Sequence, residues 1–271
     1  MTISKFRIIL LSFSITLLPV TAIGMDFYWE KTPYTRLVLS GEVVKDDGEK
    51  FRRFLRLNFE KYKANPTVRL ASNGGNLMET LRIAVILRSI YPTITVEGDK
   101  CASACFFLYL SGVERRTEDS SLIGIHRAYF DPSYFKNLKL EEAKAKLTEL
   151  TKIMGSILDE NQVSQNLKDR LNSTSSDEIY WLKPEDIVSI GMMPGWFEEL
   201  LLAKCECGAY LASQKSMWYQ RPEDKEHEFD ADKVAKSFWS CSTCRDKLIK
   251  EQLSVLPSTL SVKEPKPVPR K

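Results

Sequence analysis

Between residues 67 and 126 a short β-prone run, a turn of small residues and an apolar helical stretch follow one another repeatedly. Thr67 to Ala71 leads into Ser72-Asn73-Gly74-Gly75, after which Leu77, Leu81, Ala84, Val85 and Ile90 recur at helical spacing. Thr93 to Glu97 leads into Cys101-Ala102-Ser103-Ala104-Cys105, and Phe106 to Leu110 then reads as a buried helix. A third strand ends on His126, one of 2 histidines in the chain. Strand alternating with helix predicts a layered α/β fold. The alternation alone does not separate an open doubly wound sheet from a spiral of ββα units. The first turn is not a GxGxxG phosphate loop and no Walker lysine follows it, so no nucleotide cofactor is expected.

The turns have the chemistry of acyl transfer. A serine nucleophile needs a sharp turn, a neighbouring base and backbone N–H groups aimed at the developing oxyanion. Ser103 lies between two alanines at a helix start, where free N–H groups and the helix dipole favour negative charge. Gly74-Gly75 supplies permissive backbone before another helix, and Asn76 and Glu79 are spaced as an N-cap and its reciprocal partner. His126 offers an imidazole, the side chain suited to proton transfer near neutral pH. Singly, each feature has a plainer reading: a serine cap, a common turn, a structural histidine.

Together, SNGG before a helix, CASAC leading into an apolar helix and a strand ending IGIHR resemble the Clp protease proteolytic subunit family, most closely its exported bacterial relatives. The resemblance spans roughly residues 35–195. It implies a ClpP/crotonase-like spiral of ββα units and a serine peptidase. Ser103 matches the nucleophile, His126 the base, and Gly75 and Ala104 the donors of the oxyanion hole. The family's acid falls on Ile179, which cannot orient an imidazole; Asp177 is the nearest substitute. A shifted triad through Asp177, a Ser–His dyad and a dead site all remain open. An extended peptide or unfolded protein substrate would pair with backbone near Gly74-Gly75.

The remaining chain adds context. Lys5 and Arg7, the apolar stretch 8–20 and small residues at 20–22 read as a cleaved signal peptide over 1–22, hence a periplasmic or secreted protein in an oxidising compartment. An ATP-driven unfoldase is not expected as a partner there. Residues 26–33 are aromatic and expected to be irregular; 36–44 reads as a strand, and 49–62 as a helix stopped by Asn65-Pro66. Apolar residues from Leu140 to Leu158 at spacings of three and four predict a long amphipathic helix. In the resembling family the corresponding helix joins subunits, so self-association and packing on the chain's own core are both open. Helices are expected over 163–171 and 184–190, with a strand at 178–181. The peptidase domain is placed at 26–200.

Past Trp196, Cys205, Cys207, Cys241 and Cys244 form two close pairs. Two such knuckles suit tetrahedral Zn²⁺, so a zinc ribbon-like module over 201–256 with structural zinc is favoured over disulfides. Cys101 and Cys105 bracket Ser103; two small buried side chains is preferred to a local disulfide. Residues 257–271, rich in Pro and Lys, read as a disordered tail. A net charge of +3 without a basic, aromatic-interleaved stripe gives no case for nucleic acid. Two other classes stand beside the peptidase. One is a non-catalytic peptide- or protein-binding member of the same fold. The other, a crotonase-like acyl-transfer enzyme, is disfavoured because acyl-CoA is cytoplasmic.

Overall fold

The structure is a computed structural model that describes residues 24–31, 35–129, 136–219 and 231–255, with backbone alone for 214–219 and 231. The expected leader at 1–22 and tail at 257–271 fall outside the described residues. The aromatic stretch near residue 26 is a strand, not an irregular segment. Asp26–Glu30 (β1) pairs antiparallel with Arg36–Ser40 (β2). The reason is packing: Phe27 lies against Phe51 and Phe54, and Trp29 stacks on Phe54. Thr67–Ala71 (β3), Thr93–Val96 (β4) and Glu114–Thr117 (β6) continue the sheet in parallel, in the order β1-β2-β3-β4-β6. A second sheet holds Lys100–Ala102 (β5), Leu122–Ile125 (β7) and Tyr180–Trp181 (β8), in the order β5-β7-β8.

The two sheets are linked in a repeating way. After β2 the chain makes a parallel bridge from Val43 to Gly75 and then enters helix Asp47–Leu57 (α1). After β3 it bridges Ser72 to Cys101 and enters Leu77–Ser89 (α3). After β4 come β5 and Cys105–Tyr109 (α4); after β6 comes β7. Two turns of the chain thus give a strand to each sheet, β4 with β5 and β6 with β7, while the turns after β2 and β3 are marked only by their bridges, and the mixed α/β fold follows the expected ββα plan. The core lies between the large sheet and its helices. Leu37, Leu39, Val68, Leu70, Ile94 and Val96 point to one face. Phe51, Leu55, Ile83 and Leu87 meet them from α1 and α3. Each such fully buried side chain contributes about 1.5–3 kcal/mol.

The single helix expected over 49–62 is two, α1 and Phe59–Ala64 (α2). Asn58 divides them: its Nδ2 donates to Phe54 O at 2.9 Å, and its own N–H reaches the carbonyls of Phe54 and Leu55. The long helix Leu140–Glu160 (α5) is present, followed by Gln165–Ser173 (α6), capped by Ser164, and Pro184–Ile190 (α7). Arg115, on β6, is fully buried. Its guanidinium bonds Asn161 Oδ1 and the Ile190 carbonyl, joining β6 to the ends of α5 and α7, and burial pushes its pKa down to about 10.

The C-terminal segment is helical where a zinc ribbon was expected: Gly195–Lys204 (α8), Gly208–Tyr219 (α9) and Ala231–Val255 (α10). Its cysteines pair as disulfides, Cys205 with Cys244 and Cys207 with Cys241. A disulfide sulfur has no thiolate to give a metal, so the four-cysteine zinc reading does not fit the chain in this state. Among the described residues no group of three or more His, Cys, Asp or Glu side chains is placed to hold a metal ion.

Candidate active site

Ser103 sits where β5 turns into α4, with φ at 58°, in the left-handed region. A residue with a β-carbon held there costs roughly 1–2 kcal/mol, and such strain persists only when the surroundings enforce it. Here they do. Ser103 N–H donates to Gly124 O at 2.8 Å and its carbonyl accepts from Phe106 N at 3.0 Å. Cys101 and Cys105, both fully buried, are joined by a disulfide that closes around the turn. The expectation of two separate thiols is therefore corrected: the reversal of backbone at Ser103 brings the two cysteines within bonding reach.

Gly74 and Gly75 supply the opposite wall. A β-carbon on Gly74, at φ 92°, would lie 2.8 Å from Ala104 N and from Ser103 Cβ. On Gly75, at φ 128°, it would lie 2.3 Å from Val43 O. Only glycine lets these backbones approach so closely. The Gly75 and Ala104 N–H groups have no hydrogen-bond partner among the described residues. Asn76 caps α3 by accepting from Glu79 N at 3.1 Å. The reciprocal half of the expected box is absent, because the buried Glu79 carboxylate accepts from Gly48 N at 2.9 Å and pairs with Arg82.

His126 follows β7 and lines the same cavity as Ser103, Gly75 and Ala104, a space of about 200 Å³. The four residues expected to act together are thus brought together. His126 Nδ1 lies 2.8 Å from the Arg127 carbonyl. A carbonyl only accepts, so Nδ1 carries the proton and Nε2 is left as the basic nitrogen. Arg127 is itself fixed by its N–H to Thr174 O at 3.0 Å.

Asp177 is placed differently. It is exposed, accepts from Ser175 Oγ, and has no bond to His126 among the described residues. Those hydrogen bonds, first that from Ser175 and then its own backbone N–H, hold its carboxyl below the ordinary range, with Arg127 adding a weaker pull. Ile179 packs against Gly124: a β-carbon there would meet Ile179 Cγ2 at 2.4 Å. The motif reading missed the cavity's apolar wall of Leu77, Phe107, Ile125, Met154 and Leu171, and also Ser176 and the exposed Tyr129. Helical periodicity marked several of these as core, and nothing in spacing told core from cavity lining.

No family model matches the chain. No curated protein matches it either. Among solved structures, a mutant of ClpP1 from Listeria monocytogenes is similar at 16% identity with a TM-score of 0.43, over 58% of this chain and 88% of that one. A mutant of the 1510-N membrane-bound stomatin-specific protease is similar at 15% identity with a TM-score of 0.40, over 62% of this chain and 82% of that one.

Proposed function

We propose that this chain is an exported serine peptidase that uses Ser103 as nucleophile and His126 as base. The observation that carries the reading is the left-handed Ser103 at a strand-to-helix turn, sharing one cavity with His126 and with two N–H groups that have no partner among the described residues. Nε2 takes the hydroxyl proton as Ser103 Oγ attacks the peptide carbonyl, and the Gly75 and Ala104 N–H groups receive the oxyanion. The imidazolium then protonates the leaving amine, and water hydrolyses the acyl-enzyme. The apolar wall suits an apolar side chain next to the scissile bond. Pairing of all 6 cysteines supports an oxidising compartment and hence export.

The test is labelling of the mature protein by a fluorophosphonate. Wild type is labelled, while Ser103→Ala and His126→Ala are not. Labelling of Ser103→Ala equal to wild type overturns the assignment. Among the described residues no carboxylate bonds His126, which favours a second reading, a non-catalytic peptide-binding protein of the same fold. Absence of labelling in wild type, with saturable binding of unfolded peptide, would establish that reading.

A further inference from the structure

The large sheet has two chemically unlike faces. Strand register places Arg69, Thr95 and Arg116 in one row and Arg36, Thr67, Thr93 and Glu114 in the next, all on the face away from the apolar core. Helix α10 lies over this face, with Arg245 donating to Glu114 Oε2 at 2.8 Å. Between them is a cavity of about 520 Å³. Arg36, Thr95 and Arg116 line it from the sheet, Lys63 from α2, and Arg245 and Lys250 from α10. Its size is that of a small-molecule site.

Charge and hydrogen bonding in it are out of balance. The two carboxylates lining it are spoken for: Glu97 pairs with Arg36 and Asp246 with Arg245. Glu114 is shared by Arg116 and Arg245. Among the described residues Lys63 reaches only Glu60, itself 82% exposed, at 3.7 Å, and Lys250 has no ion-pair partner. Thr95 is 4% exposed, yet its hydroxyl has no partner among the described residues. A buried hydroxyl without a bond is a cost that a native fold rarely leaves standing.

We propose that this cavity binds a small ligand carrying an oxyanion, a phosphate or a carboxylate, with Lys63 and Lys250 supplying charge and Thr95 donating its hydroxyl. Charge-assisted bonds of this kind are the strong ones. The site is separate from the Ser103 cavity and does not depend on the peptidase reading.

Calorimetric titration of the whole mature protein with inorganic phosphate and, separately, citrate is the experiment. Saturable binding of at least one probe is expected at about millimolar concentration or below. Thr95→Val, which keeps the side-chain shape, and Lys250→Ala should each weaken it about tenfold, while Thr95→Ser and the outward-facing Lys247→Ala should bind as wild type. Binding of phosphate alone, or of citrate alone, names the ligand class. Binding of neither probe, or binding that Thr95→Val and Lys250→Ala leave unchanged, overturns the proposal. Fluorophosphonate labelling of Lys250→Ala should equal that of wild type, which separates this outcome from failure of the peptidase reading.

Discussion

Ser103 holds a side chain in backbone territory that glycine occupies without strain, and that placement has a measurable cost. Ser103→Gly should stabilise the fold by about 1 kcal/mol while abolishing fluorophosphonate labelling. Thermal melting reads the first effect, and a lower melting temperature would count against strain at the turn. Gly75→Ala should move stability the other way. Its β-carbon would meet Val43 O at 2.3 Å, so we expect a loss of about 2 kcal/mol or more and loss of labelling. Asp177→Asn should leave the labelling rate within about twofold of wild type, since its carboxylate faces Ser175 and solvent; a triad acid would cost orders of magnitude. Ser103, His126, Gly75 and Ala104 were legible in the sequence because a nucleophile, a base and close-approach backbone need particular residue types at turns. The partner of His126 was not. It is the Arg127 carbonyl, and a main-chain group leaves no letter in the sequence.

Helix α4 has 5 residues, too few to persist by its own hydrogen bonds. It is held by burial of Phe106, Phe107 and Leu108 and by the Cys101–Cys105 disulfide. That bridge closes a very short loop, which removes about 2 kcal/mol of unfolded-state entropy in the chain-entropy model. Replacing both cysteines with alanine should lower stability by about that amount. It should also slow labelling about tenfold or more, because the turn can then relax toward ordinary φ; a melting shift without a rate change would make the bridge purely structural. Spacing alone could not predict this bond, since it depends on the left-handed residue between the two cysteines.

Helix α5 carries a different message. Leu150, Ile157 and Leu158 are buried, but Leu140 is 69% and Leu147 42% exposed. Its periodicity was legible from sequence, whereas the division between a packed C-terminal half and a bare N-terminal half was not. If the bare half joins subunits, Leu147→Glu should reduce the mass measured by light scattering without lowering the melting temperature. An unchanged mass would remove this helix from any interface.

Across the molecule, charged groups tie distant segments together. Arg115 joins β6 to α5 and α7, and Arg245 joins α10 to Glu114 on β6. Arg115→Ala would leave Asn161 Oδ1 and the Ile190 carbonyl unpaired in the interior, at about 1–3 kcal/mol for each acceptor, read by denaturant titration. The alternation of strands and helices through residue 126 was readable because each period matches a local geometry. The C-terminal segment was misread because 4 cysteines admit three pairings as well as a metal, and only their positions in space choose among them.

Those bridges have a consequence in covalent topology. Cys205–Cys244 and Cys207–Cys241 enclose every peptide bond from 208 to 240 within a closed loop. A protease that nicks the chain once in that interval separates nothing. On a denaturing gel the nicked protein should run as a single species of full mass without reductant and as two fragments with it. Zinc held by four thiolates would release under denaturant and chelator, and both lanes would then show two fragments. In the bridged chain, the C-terminal helix stays attached to the body through damage that would shed an ordinary tail.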